Sequence, residues 1–290
     1  MSWRTVVITT RAKLELRLSY LVVRGEKETK IHLSEISTLI IESTSVSLTV
    51  SLLSELMKKK IKVIFCDEKR NPISELIPYY GSHDTSAKVR HQIKWTKSIK
   101  GYVWTEIVRE KITKQADLLR YLKRSEAKLL ETYLKNIEYN DKTNREGHAA
   151  KVYFNALFGI NFTRTKTDFI NAALDYGYAI LLSAVNREIV SNGYITQIGI
   201  FHDNMFNQFN LGSDLMEPFR PIIDACVYYM NPTKFELEER MMLVNLLNKE
   251  IEIDGRKQYL SNAIKIYCKS IFDALNENDV AKIRFYKDEL

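Results

Sequence analysis

The sequence predicts an α+β chain, with a small N-terminal β-rich domain over residues 1–80, a linker over 81–90 and a larger all-α domain over 91–290. Three observations carry this reading. Period-two alternation and β-rich runs fill the N-terminal part. Asn71-Pro72, Pro78 and Gly81-Ser-His-Asp84 then interrupt it. Beyond them helical spacing takes over, and no proline falls between Tyr79 and Glu217.

Thr5 to Thr9 reads as a first short strand, and Leu14, Leu16 and Leu18 alternate with polar neighbours as a half-buried strand does. Ser19 to Val23 and Lys30 to Leu33 flank a turn centred on Gly25, the pattern of a hairpin. Ile36 to Ile41 is a further strand. Ser47 to Lys60 places Leu48, Leu52, Leu53 and Leu56 on one helical face. Lys62–Cys66 and Ile73–Ile77 complete a domain expected to be rich in antiparallel hairpins. Long helices follow from Ala87 to about Asn140, then over Glu146–Phe158, Phe169–Val190, Asp214–Met230, Lys234–Lys249 and Arg256–Asn276.

Composition narrows the class. Hydrophobic residues make up 45% and charged residues 27%, as in globular domains with a substantial core. Cys66, Cys226 and Cys268 are odd in number and widely spaced, which argues against a disulfide framework or a zinc ribbon and fits a reducing cytoplasm. No secretory leader is expected, so the closing Lys287-Asp-Glu-Leu290 reads as a coincidental retention signal. The longest apolar stretch, Ala179 to Val185, is too short to span a bilayer. The net charge is +7, yet Lys88 to Lys128 alone holds twelve Lys or Arg against four acids. That basic stretch, with Arg90, Lys94 and Lys97 spaced as one helical stripe, suits a phosphate backbone; it also suits an ordinary solvated face.

Three segments carry candidate chemistry. In Asn144-Arg-Glu-Gly-His-Ala-Ala150, Glu146 opens a helix, where the dipole favours an acid whatever its role. Small neighbours permit close approach of a ligand; His148 points to another side, whereas Tyr153 shares the face of Glu146. His202 ends Gly199-Ile-Phe-His, and a lone histidine is commonly structural. In Ser213-Asp-Leu-Met-Glu-Pro-Phe-Arg-Pro221, Asp214 and Glu217 are three apart on one face, which equally suits an N-cap and its N3 partner. Together the carboxylates and the imidazole suit Mg2+ or Mn2+.

At these segments, and in Asn171-Ala-Ala-Leu-Asp-Tyr-Gly-Tyr-Ala-Ile-Leu181, the chain resembles the CRISPR adaptation integrases of the CRISPR-associated protein one family. The resemblance covers essentially the whole chain, and its wording is similar to the type II-A version found beside an RNA-guided nuclease. It implies Glu146, His202 and Glu217 as catalytic metal ligands for Mg2+ or Mn2+, with Asp214 as a supporting acid. Many family members carry aspartate at the third position, so Glu217 is a departure that lengthens the arm. The resemblance further implies an N-terminal β domain used in dimerisation and a helical catalytic, DNA-binding domain. Implied partners are double-stranded DNA, a second copy of the chain, a dimer of CRISPR-associated protein two and other type II-A adaptation proteins, with no membrane. The implied reaction is spacer integration, in which a DNA 3′-hydroxyl attacks a phosphodiester. Arg145, Lys151, Tyr153, Arg187 and Arg220 lie near the motifs as candidate DNA contacts. A general metal-dependent nuclease and a non-catalytic DNA-end scaffold are the alternatives.

Overall fold

The computed structural model describes residues 4–79 and 82–287. Gly81 and the terminal Asp288-Glu-Leu290 lie outside the described residues. The chain divides into two compact units between His83 and Asp84.

In the first unit, β1 (Arg4–Ile8), β2 (Ala12–Arg17), β3 (Tyr20–Arg24), β4 (Glu28–His32), β5 (Ile36–Ile41) and β6 (Val46–Leu48) precede helix α1 (Val50–Lys58), and β7 (Lys62–Cys66) and β8 (Pro72–Leu76) follow it. They form two four-stranded sheets, ordered β1-β5-β7-β8 and β4-β3-β2-β6. The Gly25 hairpin is present, with Val23 opposite Thr29. The first sheet departs from the expected hairpins: β1, β5 and β7 run parallel, with Val6 beside Leu39 and Leu39 beside Val63. The reason is visible in β5, all of whose residues are buried; a strand covered on both faces shows no alternation and belongs to a parallel arrangement. Leu52 and Leu56 of α1 join Val6, Leu14, Leu21, Leu39 and Val63 in one core shared by both sheets.

The second unit begins with α2 (Thr85–Ile93), so residues 85–90 are helical rather than the linker expected over 81–90. Buried Gln92 anchors that helix, donating to the carbonyls of Ile195 and Ile198 and accepting from the Ile195 amide. The long helix expected from Ala87 breaks at Trp95-Thr96. Thr96 is extended (φ −69°, ψ 151°) and accepts from the Ile99 amide, which starts α3 (Lys97–Tyr121) afresh. Arg90 and Lys94 therefore belong to one helix end and Lys97 to the start of another, so the expected single stripe is divided.

α3 runs through the middle of the unit, burying Val103, Trp104, Ile107, Val108, Ile112 and Leu119. Against it and one another pack α4 (Ala127–Lys135), α5 (Arg145–Phe158), α6 (Phe169–Ser191), α7 (Asn210–Met216), α8 (Arg220–Met230), α9 (Leu237–Asn245) and α10 (Leu260–Glu277). The helix expected over Asp214–Met230 is three pieces, because Pro218 and Pro221 offer no backbone N–H and a 3-10 turn, Glu217–Phe219, replaces continuous α geometry. Asp214 therefore lies within α7 and is not the N-cap partner of Glu217. The unit is mostly helical, but β9 (Glu250–Ile253), β10 (Arg256–Tyr259) and β11 (Tyr286–Lys287) make a small antiparallel sheet, and the last long helix starts at Leu260 instead of Arg256. Among the described residues no disulfide forms, and no helix is long and apolar enough to cross a membrane.

α6 packs tightly against α8 and α9 at Gly177, where an added Cβ would stand 2.5 Å from Ile223 Cγ2 and 3.3 Å from Leu243 Cδ2. Gly177→Ala should lower the urea midpoint by the equivalent of about 1–3 kcal/mol, overpacking outweighing the helix-propensity gain of about 1 kcal/mol. An unchanged or raised midpoint would show that the helices do not meet there.

Candidate metal and DNA site

Glu146 is placed by the start of α5. Asn144, in the left-handed region (φ 51°), accepts from the Gly147 amide. Asp141, buried in the preceding turn, accepts from the amides of Arg145 (2.7 Å) and Glu146 (3.0 Å). The first turn of α5 thus has its free N–H groups satisfied, and Glu146 projects from a fixed backbone.

Glu217 is placed by its 3-10 turn. Phe219 packs between Tyr267 (ring centroids 5.2 Å) and Tyr286 (5.0 Å), and the Tyr286 hydroxyl donates to the Pro218 carbonyl at 3.0 Å. Burying a side chain such as Phe219 contributes about 1.5–3 kcal/mol, enough to fix so short a turn.

The two carboxylates meet at Lys111, which rises from the buried face of α3. Its ammonium pairs with Glu146 Oε1 and lies 2.5 Å from Glu217 Oε2. The other oxygen of Glu217 is held by Arg220 Nε at 3.0 Å. Burial opposes the charge on Glu217, but the Arg220 guanidinium and Lys111 ammonium outweigh it and hold its pKa below the ordinary carboxylate value. Burial likewise works against the Lys111 ammonium, and Glu217 and Glu146 more than compensate, so its pKa is raised.

His202 is placed by Asp214, which is wholly buried. One Asp214 oxygen accepts from the amides of Ile200 (2.6 Å) and Phe201 (3.1 Å); the other accepts from the His202 amide (3.1 Å) and its Nδ1 (2.6 Å). A side chain on Gly199 would come within 2.7 Å of Asp214 Oδ2, so only glycine permits this wrap. With Asp214 accepting at Nδ1, that nitrogen carries the proton, and in the neutral ring Nε2 has the lone pair for another partner. The ring stands edge-on to Trp104 (5.8 Å, 84°), on which Phe201 stacks at 4.4 Å. The hydrogen bond to Asp214 raises the His202 pKa, burial opposing it in part.

Glu146 and Glu217 therefore share a cation, and His202 lies within the electrostatic reach of Glu217. Among the described residues, no three His, Cys, Asp or Glu side chains close around one point as metal ligands do. The donor types nonetheless fit a divalent cation: two carboxylates already gathered about a positive charge, and an imidazole with one nitrogen spoken for and the other open.

The comparisons with known proteins bear on the whole chain. Residues 5–262 match the family model described as CRISPR associated protein Cas1. The chain belongs to the Cas1 family. The CRISPR-associated endonuclease Cas1 of Neisseria meningitidis serogroup C (strain 8013) is 34% identical over 274 residues, covering 92% of this chain and 89% of its own. A CAS1 protein from Thermotoga maritima shares the fold with TM-score 0.78 at 19% identity, over 99% of this chain and 100% of its own. A casposase bound to integration product does so with TM-score 0.77 at 19% identity, over 97% and 92%. In the Cas6-RT-Cas1--Cas2 complex the match has TM-score 0.75 at 18% identity and covers 97% of this chain; this chain spans 36% of that one. The β-rich unit followed by a mostly helical one is the Cas1 fold.

The expected DNA contacts separate in this Cas1 chain. Arg90, Lys94, Lys97 and Lys151 are exposed. Arg145 sits over the Tyr133 ring at 5.7 Å, and Arg187 Nε lies 3.8 Å from Glu188. Tyr153 is corrected: it is 0% exposed and belongs to the core beside Asp224, so it is no surface contact. Arg220 is committed to Glu217 and to the Tyr178 ring, 4.7 Å away. Asp224, to which Tyr178 donates, is pushed up to about 6 by burial, although Tyr178, Tyr153 and Arg220 work the other way.

Sequence reasoning missed Lys111, Asp141 and Asp224. Lys111 had a signal: it continues the Val103–Ile107 stripe of α3 at helical spacing, a charge on an apolar face.

Asp214→Asn should bring the His202 pKa down toward the ordinary 6.5, read by ring-nitrogen NMR titration. Because the folded value is raised, the stabilisation from this pair is complete below pH 6.5 and is lost as pH rises through the folded value. The wild-type advantage over the variant should shrink across that window; an unshifted His202 would contradict the pairing.

Proposed function

We propose that this Cas1 chain is a metal-dependent DNA integrase and endonuclease that inserts spacer DNA into a CRISPR array. The observation that carries it is the gathering of Glu146 and Glu217 on one cation beside a histidine whose outward nitrogen is open. The endonuclease name of the Neisseria relative and the integration product held by the casposase support the reading.

Glu146, His202 and Glu217 would hold Mg2+ or Mn2+. When bound, such an ion lowers the pKa of an attacking hydroxyl and neutralises charge on the phosphodiester. The protein's part is preorganisation. Asp214 fixes the ring and backbone of His202, Asp141 fixes the Glu146 backbone, and Arg220 keeps Glu217 ionised and oriented. Trp104, with Phe201 stacked on it, stands edge-on to the imidazole. The chemistry proposed is transesterification: a DNA 3′-hydroxyl oxygen forms a bond to phosphorus, the bond to the departing 3′-oxygen breaks, and the hydroxyl proton ends on the departing strand. Water in place of the hydroxyl gives nuclease action. We assign the first unit to homodimerisation, and a dimer of CRISPR-associated protein two to the assembly, as the complex containing Cas1 and Cas2 supports. Other type II-A adaptation proteins and a cytoplasmic setting complete the proposal.

Glu146→Ala, His202→Ala and Glu217→Ala should each reduce joining of a hydroxyl-ended donor to a leader-repeat plasmid by about 10²-fold or more, with DNA affinity largely kept. Full joining by all three variants would favour a scaffold, and nicking without joining by the wild type would favour a plain nuclease. Charge reversal at Arg90, Lys94 and Lys97 should weaken DNA binding and flatten its salt dependence by about 0.9 in log–log slope for each phosphate no longer neutralised. Unaltered affinity at low salt would mark these residues as solvated surface.

A further inference from the structure

We propose that Lys111 is the resident counter-cation of the Glu146–Glu217 pair, and that it competes with a divalent metal for the same carboxylate oxygens. The proposal rests on the reading that Glu146, His202 and Glu217 take such a metal.

The geometry makes the two occupants mutually exclusive. The Lys111 ammonium touches one oxygen of each glutamate. Mg2+ binds carboxylate oxygen at about 2.0–2.1 Å, inside the roughly 2.7–2.9 Å of an ordinary ammonium–carboxylate contact. An ion on those two oxygens would therefore lie against Nζ with no water between the like charges. Rotating Glu217 does not avoid the clash, because its other oxygen is held by Arg220. The charge count points the same way. The side chains of Glu146, Glu217, Lys111 and Arg220 sum to zero as they stand, and a metal joining these four without a cation leaving adds two positive charges.

The structure also offers a route for exchange. Side-chain exposure is 29% for Glu146 but 8% for Lys111 and 6% for Glu217. The Glu146 end opens to solvent, so an ion meets Glu146 first and reaches Glu217 as the flexible lysine stem withdraws. Lys111 thus keeps the buried Glu217 carboxylate ionised and holds Glu146 beside it before loading. Lys111 is a positioning residue in this role, with no contact to the reacting strand required.

Lys111→Met keeps the length and apolar stem while removing the charge. Mn2+ affinity measured by electron paramagnetic resonance should tighten about tenfold or more in the variant, within the usual range for two coupled ligands. With EDTA, Lys111→Met should melt below wild type, and saturating Mn2+ should narrow the gap. Equal or weaker Mn2+ binding in the variant, with wild type binding normally, overturns the competition and leaves the metal site standing. Mn2+ binding unaffected by Glu146→Ala and Glu217→Ala overturns both. Should Lys111→Met fail to fold, the wild-type protein carrying 13Cε-lysine serves instead. The Lys111 signal, identified by its loss in Lys111→Arg, should shift as Mg2+ is added. A signal unmoved at saturating Mg2+ overturns the proposal.

Discussion

A buried carboxylate stays ionised beside a second acid only where a cation stands close to it. Most of what surrounds Glu146 and Glu217 answers that constraint. Lys111 bridges them from α3, Arg220 holds the far oxygen of Glu217, and the next acid along, Asp224, has its pKa pushed up to about 6 by burial against the weaker pull of Arg220 and Lys111. The contrast between Glu217, held below its ordinary value, and Asp224, held above, shows charge pairing deciding one case and burial the other.

The helices serve this cluster by where they begin and break. α5 starts on Asp141 and Asn144, which fixes Glu146 in a first turn whose amides are already bonded. The chain between α7 and α8 is broken by two prolines, which sets Glu217 in a tight turn clamped by aromatic rings. The loop carrying His202 has no regular structure of its own. It is wound about the buried carboxylate of Asp214, so one acid does the work of a secondary-structure element while orienting the imidazole.

The sequence showed a good part of this. Strands β5 and β7 are where short apolar, β-branched runs place them, and helices α5 and α6 where unbroken helical patterns do. The parallel pairing of β1, β5 and β7 was hidden, since pairing partners are set by burial on both sheet faces and not by local turns. The break at Thr96 was hidden by the good helix formers on either side, and β10 was absorbed into the helix that follows it. At the site, the family resemblance brought out Glu146, His202, Asp214 and Glu217. Lys111 stayed out of view because a lysine in a basic stretch resembles a solvated charge until the fold turns it inward. Tyr153 was misplaced for the opposite reason: nearness to a motif in sequence does not say which way a side chain faces.

On the proposed reading, the cluster is a centre assembled and neutralised before a divalent ion loads, with selectivity left to donor type and to the open nitrogen of His202. The most direct measurement is a crystal of the protein soaked in Mn2+, with anomalous scattering recorded at the manganese edge. The expected result is a peak bounded by Glu146, His202 Nε2 and Glu217, with the Lys111 side chain withdrawn. A soaked crystal with its manganese elsewhere, and Lys111 still bridging the two glutamates, would contradict it.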